Sequence, residues 1–74
     1  MKQRQFDLIK FSKAVKKYRV QLAIGMRLAA KQVGISAATF CRIENGNSQA
    51  EINTVFTICD WMDKPIEQFI KTKK

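Results

Sequence analysis

The stretch Leu28-Ala29-Ala30-Lys31-Gln32-Val33-Gly34-Ile35-Ser36 decides the fold of this 74-residue chain. Two helices that cross steeply leave little room where they meet, so a small residue such as Ala30 is wanted in the first. Gly34 tolerates the left-handed conformation that stops a helix sharply. Ile35 can plug the space beneath the turn, and the Ser36 hydroxyl can accept from the first N–H groups of the next helix. The spacing predicts a second helix over Met26–Val33 and a third over Ala37–Asn45, the latter ended by Gly46. A pair of this shape can present one helix to the major groove of DNA, although any helical hairpin with a glycine turn shares the pattern.

Outward from that stretch the periodicity stays helical. Phe11, Val15, Tyr18 and Leu22 recur at i, i+4, i+7 and i+11, one apolar face of a first helix. Lys10, Lys13, Lys16 and Lys17 lie off that face, and Asp7 is placed to cap the helix. Residues 1–6 show neither cap nor period, which predicts a frayed arm. Ser48 and Glu51 have the spacing of a capping box that opens a fourth helix to about Met62. Its expected buried stripe is Ile52, Val55, Phe56, Cys59 and Met62. Pro65 suits the first turn of a short fifth helix with Ile66, Phe69 and Ile70 inward. The expectation is an all-α fold of five short helices: a basic N-terminal arm over 1–9, a helical domain over 10–70 and a mobile basic tail over 71–74.

Charge narrows the function classes. Lys and Arg total 14 against 6 Asp and Glu, for a net charge of +8. All of that excess lies in residues 1–31, where Asp7 is the single acid; residues 32–74 are balanced. Such a block points to a polyanion, either nucleic acid or an anionic membrane surface. A membrane role for the first helix competes with the core for its apolar face. With no His and two Cys, acid–base catalysis and metal binding lack their usual groups, so no enzyme, cofactor or small-molecule substrate is expected. No apolar run is long enough to cross a bilayer, and no secretory leader is visible, so a cytoplasmic protein is expected, one associated with the nucleoid where its polyanion is DNA.

Two flanking segments carry a resemblance. Tyr18-Arg19-Val20-Gln21-Leu22 before the turn, and Arg42-Ile43-Glu44-Asn45-Gly46 after it, resemble the Cro/cI-type (XRE-like) helix-turn-helix family of phage repressors and their bacterial relatives. The resemblance covers residues 10–70. It implies a five-helix lambda-repressor-like domain whose helices 2 and 3 form the helix-turn-helix, acting as a repressor on double-stranded DNA, usually as a homodimer. It also implies that Arg19 pairs with Glu44, and that the Asn45-Gly46 turn approaches a phosphate.

Carried over residue by residue, the DNA-facing positions are Ser36, Ala37, Ala38, Thr39, Cys41 and Arg42. Arg27, Ser36, Thr39 and Asn45 are suited to phosphates, which position a protein without reading sequence. Relatives commonly have Gln where this chain has Met26, and Lys or Arg in the loop Asn47-Ser48-Gln49. The reading surface is therefore unusually apolar. Arg42 alone can bind guanine O6 and N7 bidentately, whereas Ala can only meet a thymine methyl. Either T-rich half-sites are read through methyl contacts and groove shape, or base readout is relaxed and phosphates dominate. A separate alternative, suggested by the apolar patch of Ala37, Ala38, Met26 and Cys41, is that the fold serves as a protein-interaction module or antitoxin-like partner with relaxed DNA readout. Lys2 and Arg4 are expected to supply further backbone or minor-groove contacts.

Two residues fall outside that scheme. Trp61 and Ile58 lie away from the expected stripe of the fourth helix, so they are expected either to form a homodimer surface or to be covered by helix 5 or the arm. Cys59 reads as core, and Cys41 lies on the outer face.

Overall fold

The computed structural model describes the backbone of residues 3–46 and 51–73. The chain runs β1 (Gln3–Phe6), α1 (Leu8–Gln21), α2 (Met26–Val33), α3 (Ala37–Asn45), α4 (Ile52–Met62), a 3₁₀ turn (Ile66–Phe69) and β2 (Ile70–Lys73). It is mostly helical, with one two-stranded antiparallel ribbon.

Several helix ends have a local cause. The Asp7 carboxylate accepts the Lys10 backbone N–H at 3.1 Å and caps α1. The helix ends at Leu22, after which Ala23 takes φ +57, a left-handed conformation that costs a residue with a Cβ about 1–2 kcal/mol. Gly34 closes α2 at φ +93, and both its N–H and that of Ile35 bond the Ala30 carbonyl, at 2.8 and 3.0 Å. Ser36 then caps α3 by accepting the Thr39 N–H. Gly46, at φ +67, ends α3 beside α1: a Cβ there would stand 3.4 Å from the Ser12 hydroxyl. That hydroxyl is buried and has no hydrogen-bond partner among the described residues.

Helices α1 to α4 and the 3₁₀ turn close on one core. Phe11 and Val15 enter it from α1, Ala29, Ala30 and Val33 from α2, and Phe40 and Ile43 from α3. Two aromatic groups organise it. Phe11 stands 5.2 Å from both Phe6 and Phe69, tying the ribbon and the 3₁₀ turn to α1. On the other side of α4, Trp61 meets Tyr18 edge-on at 4.8 Å and Phe40 at 5.9 Å.

Trp61 corrects the reading of α4. Its indole N–H donates to the Gln32 side-chain oxygen at 3.0 Å, so α1, α2 and α3 all hold the ring. Turning the helix to seat it carries Ile58 into the core beside Val55, Cys59 and Met62, and brings Ile52 and Phe56 out to 56% and 48% exposure. The buried face is therefore rotated by about 60° from the stripe expected, given 100° per residue. Ile58, fully buried, cannot belong to a dimer surface. Half-buried Trp61 is covered by α1 and α3 rather than by helix 5 or the arm. Leu22, expected on the inner face of α1, is likewise exposed, because the helix has ended.

The two chain ends are also corrected. Residues 3–6, expected to fray, pair antiparallel with 70–73 in the register Gln3↔Lys73, Arg4↔Thr72, Gln5↔Lys71 and Phe6↔Ile70. The Asp7 N–H extends the pairing by bonding the Phe69 carbonyl at 2.6 Å. The expected fifth helix is a single 3₁₀ turn with Pro65 just before it, and Ile70 already belongs to β2. The fold is mostly helical, as expected of an all-α chain, with four α-helices among the described residues rather than five and a short two-stranded ribbon joining the chain ends. Glu51 precedes α4 without a side-chain capping bond; Ser48, its expected capping partner, lies outside the described residues. Among the described residues no helix is long and apolar enough to cross a membrane.

The rotation of α4 is open to a direct comparison. Ile58→Ala should cost about 2–5 kcal/mol as a core truncation, whereas half-exposed Phe56→Ala should cost about 1 kcal/mol or less. At about 4–8 °C per kcal/mol for a domain of this size, thermal unfolding should separate the two by 5 °C or more. Equal losses would restore the expected stripe.

Candidate nucleic-acid interface

The candidate surface begins with what α3 must hide. Phe40 and Ile43 are buried, and at 100° per residue the opposite side of the helix carries Ala38, Arg42 and Asn45, at i, i+4 and i+7. All three are exposed, as is Thr39 on one flank; Cys41, on the other, is half-buried. The structure therefore brings five of the six expected α3 side chains beyond Ser36 onto one outward surface. Ala37 is the exception, since it packs half-buried against the core. It can offer an outside partner its backbone N–H more readily than its methyl group.

The first turn of α3 is ordered by its own hydroxyls. Ser36 Oγ accepts from the Thr39 N–H at 3.1 Å and donates its proton to Thr39 Oγ1 at 2.7 Å. Its donor is thereby used, leaving the Thr39 hydroxyl proton as the side-chain donor facing outward. The Ala37 and Ala38 N–H groups have no partner inside the helix, as for any helix start, and carry the positive end of the helix dipole. At the other end, Asn45 Nδ2 reaches Cys41 Sγ at 3.5 Å, a weak contact that leans the amide back along α3. Arg42, by contrast, has no hydrogen bond or ion pair among the described residues and is exposed.

Arg27 sits at the second position of α2, exposed. Gly25 caps that helix without a side-chain bond, and Met26 is 39% exposed. Exposed Val20, Leu22 and Leu28 accompany it, so the approach to α2 is apolar apart from Arg27. Lys2 and the loop Asn47-Ser48-Gln49 lie outside the described residues; the backbone of Arg4 is held in β1 opposite Thr72.

A single arginine fixes α3 against the rest. Arg19 Nε donates to Glu44 Oε2 at 2.5 Å and Nη2 to Oε1 at 3.2 Å, a bidentate pair. Its third nitrogen, Nη1, donates to the Ile24 carbonyl at 3.0 Å and so holds the α1–α2 turn. The side chains are 15% and 4% exposed. The hydrogen bond to Glu44 raises the Arg19 pKa further, against the opposing effect of burial, so the guanidinium stays charged across the whole working range of pH. The pairing implied by the family resemblance is present.

The remaining chemistry-bearing residues do not join this surface. Burial, with lesser contributions from Asp60 and Glu67, pushes the Cys59 thiol up, which keeps it protonated and inert in the core. The described residues contain no group of three or more Cys, Asp or Glu able to hold a metal. Sequence reasoning missed the Trp61–Gln32 bond and the exposure of Ile52 and Phe56, because α4 carries more apolar positions than one stripe can use. No family model, curated protein or solved structure matches the chain.

Removing Glu44 leaves a largely buried guanidinium with one carbonyl partner. Glu44→Ala should destabilise the domain by about 3 kcal/mol, lowering its melting temperature by 10 °C or more, with Glu44→Gln intermediate. A loss of only a degree or two would show that the pair does not hold α3 in place.

Proposed function

We propose that this chain is a DNA-binding transcriptional regulator of the Cro/cI type, a repressor that lays α3 in the major groove. The observation that carries this reading is the outward row Ala38–Arg42–Asn45 on a helix clamped by Arg19 and Glu44. In this reading α2, the Gly34 turn and α3 are a helix-turn-helix. Arg42 reads guanine, Ala38 and the Cys41 edge meet thymine methyls, and Arg27, Thr39 and the first-turn N–H groups of α3 hold phosphates. The lysines of α1 supply a long-range attraction that favours encounter with DNA and falls with salt. Acting on DNA places the protein with the chromosome in the cytoplasm and calls for no catalysis, cofactor or metal.

A palindromic operator would call for two copies. With Ile58 in the core, the surface best suited to a second copy is the exposed ridge of Ile52 and Phe56 on α4. Residues 43–63 contain four acids and no Lys or Arg, so two copies of a chain with net charge +8 meet there with least repulsion. Phe56→Glu should convert the dimer to monomer in sedimentation while leaving the melting temperature of the monomer little changed. A dimer that persists in this variant would rule the ridge out.

A second reading has its own observation. Val20, Leu22, Met26 and Leu28 expose an apolar surface about the α1–α2 turn, beside the helix start that DNA would approach. Such a surface suits a protein partner, and in that case the domain is an interaction module or antitoxin-like partner with relaxed readout.

Selection of bound duplexes from a random pool separates the two. A regulator should return a palindromic consensus, and Arg42→Ala should remove or relax a guanine in it at a cost of about 1–3 kcal/mol. Log affinity should fall linearly with log salt, at a slope of about −0.9 for each phosphate that a Lys or Arg neutralises. Absence of duplex binding at moderate salt would favour the interaction module instead.

A further inference from the structure

Between α1 and the 3₁₀ turn lies a cavity of about 270 Å³ that no contact proposed above uses. Lys10, Ala14 and Lys17 line it from α1, at the i, i+4 and i+7 spacing that puts them on one helix face. Lys64 and Gln68 line it from the segment that follows α4, together with Tyr18 of α1 and the core residue Phe69. Its size suits a small molecule rather than a helix or a strand.

The charge around this space is one-sided. Three lysines and no acidic residue line the cavity. Arg19–Glu44 is the one ion pair within 4.0 Å among the described residues, so Lys10, Lys17 and Lys64 are not neutralised at close range by Asp63 or Glu67 nearby in the chain. Three like charges gathered about one cavity repel one another, and an anion shared among them relieves that repulsion while accepting charge-assisted hydrogen bonds. Gln68 and Tyr18, also in the lining, carry neutral donors of the kind that further ligand oxygens can use.

We propose that this cavity binds a compact small-molecule polyanion, of the size and charge of pyrophosphate or a tricarboxylate. The site stands apart from the outward face of α3 and does not depend on DNA binding. It has a built-in reporter: Tyr18, which lines it, is in edge-on contact at 4.8 Å with Trp61, the chain's single tryptophan.

Titration of the full chain, free of DNA and at low salt, tests the site with two probes, pyrophosphate and citrate. The expected result is a saturable, one-to-one change in Trp61 fluorescence, matched by calorimetry, with at least one probe; the preferred probe identifies phosphate or carboxylate as the ligand chemistry. Lys17→Gln combined with Lys64→Gln should weaken binding by about tenfold or more, because it removes two charge-assisted contacts. Lys13→Gln combined with Lys16→Gln removes the same charge from exposed positions outside the cavity and should change affinity by about twofold or less. Absence of saturable binding with both probes, or equal weakening in the two double variants, would overturn the site.

Discussion

The Arg19 guanidinium joins three pieces of chain through one planar group. Two of its nitrogens hold the Glu44 carboxylate at the end of α3, and the third holds the Ile24 carbonyl in the turn before α2. One planar group thereby sets α1 against α3 and fixes the entry of α2, which is why arginine rather than lysine is required: lysine cannot present this fork. The left-handed Ala23 lies in the same turn, so the strain of that residue is held by the bond to its neighbour. Gly46 completes the arrangement: its left-handed φ of +67 ends α3 beside Ser12. The outward aim of Ala38, Arg42 and Asn45 follows from these constraints rather than from anything on the outer surface itself.

Charge and packing divide the molecule into faces. The lysines at 10, 13, 16 and 17 give α1 its positive surface while Phe11 and Val15 hold its other side in the core. Residues 43–63, on the opposite balance, carry acids alone. The excess positive charge and the acidic segment thus belong to different parts of the fold. The cavity beside Lys10, Lys17 and Lys64 shows that the basic side has shape as well as charge.

How much of this was legible in the residues depended on whether a local rule was enough. Asp7, Gly34, Ser36 and Gly46 act within one turn of chain, and the bounds of α2 and α3 followed from them directly. Phe40 and Ile43 were readable as the inner side of α3 because that helix has few apolar choices. In α4 the choice between Ile52 with Phe56 and Ile58 with Trp61 was settled by Tyr18, Phe40 and Gln32, partners distant in sequence. The ribbon failed to show for the same reason: four-residue strands have too little alternation to signal themselves, and Phe6 pairs with Ile70 across the length of the chain. On the candidate surface, the outward placement of Arg42, Thr39 and Asn45 was legible from helical spacing. The half-burial of Ala37 and the internal use of the Ser36 proton were not, since both depend on atoms of neighbouring turns.

The central claim is that the outer row of α3 is what DNA meets. Amide chemical shifts of the isotope-labelled chain, followed while a mixed-sequence duplex is added at low salt, report this residue by residue. The account predicts that the largest changes fall on Ala38, Thr39, Arg42 and Asn45, joined by Arg27 at the start of α2. Changes confined to the α1–α2 turn or to the lysine face of α1, with α3 unmoved, would contradict it.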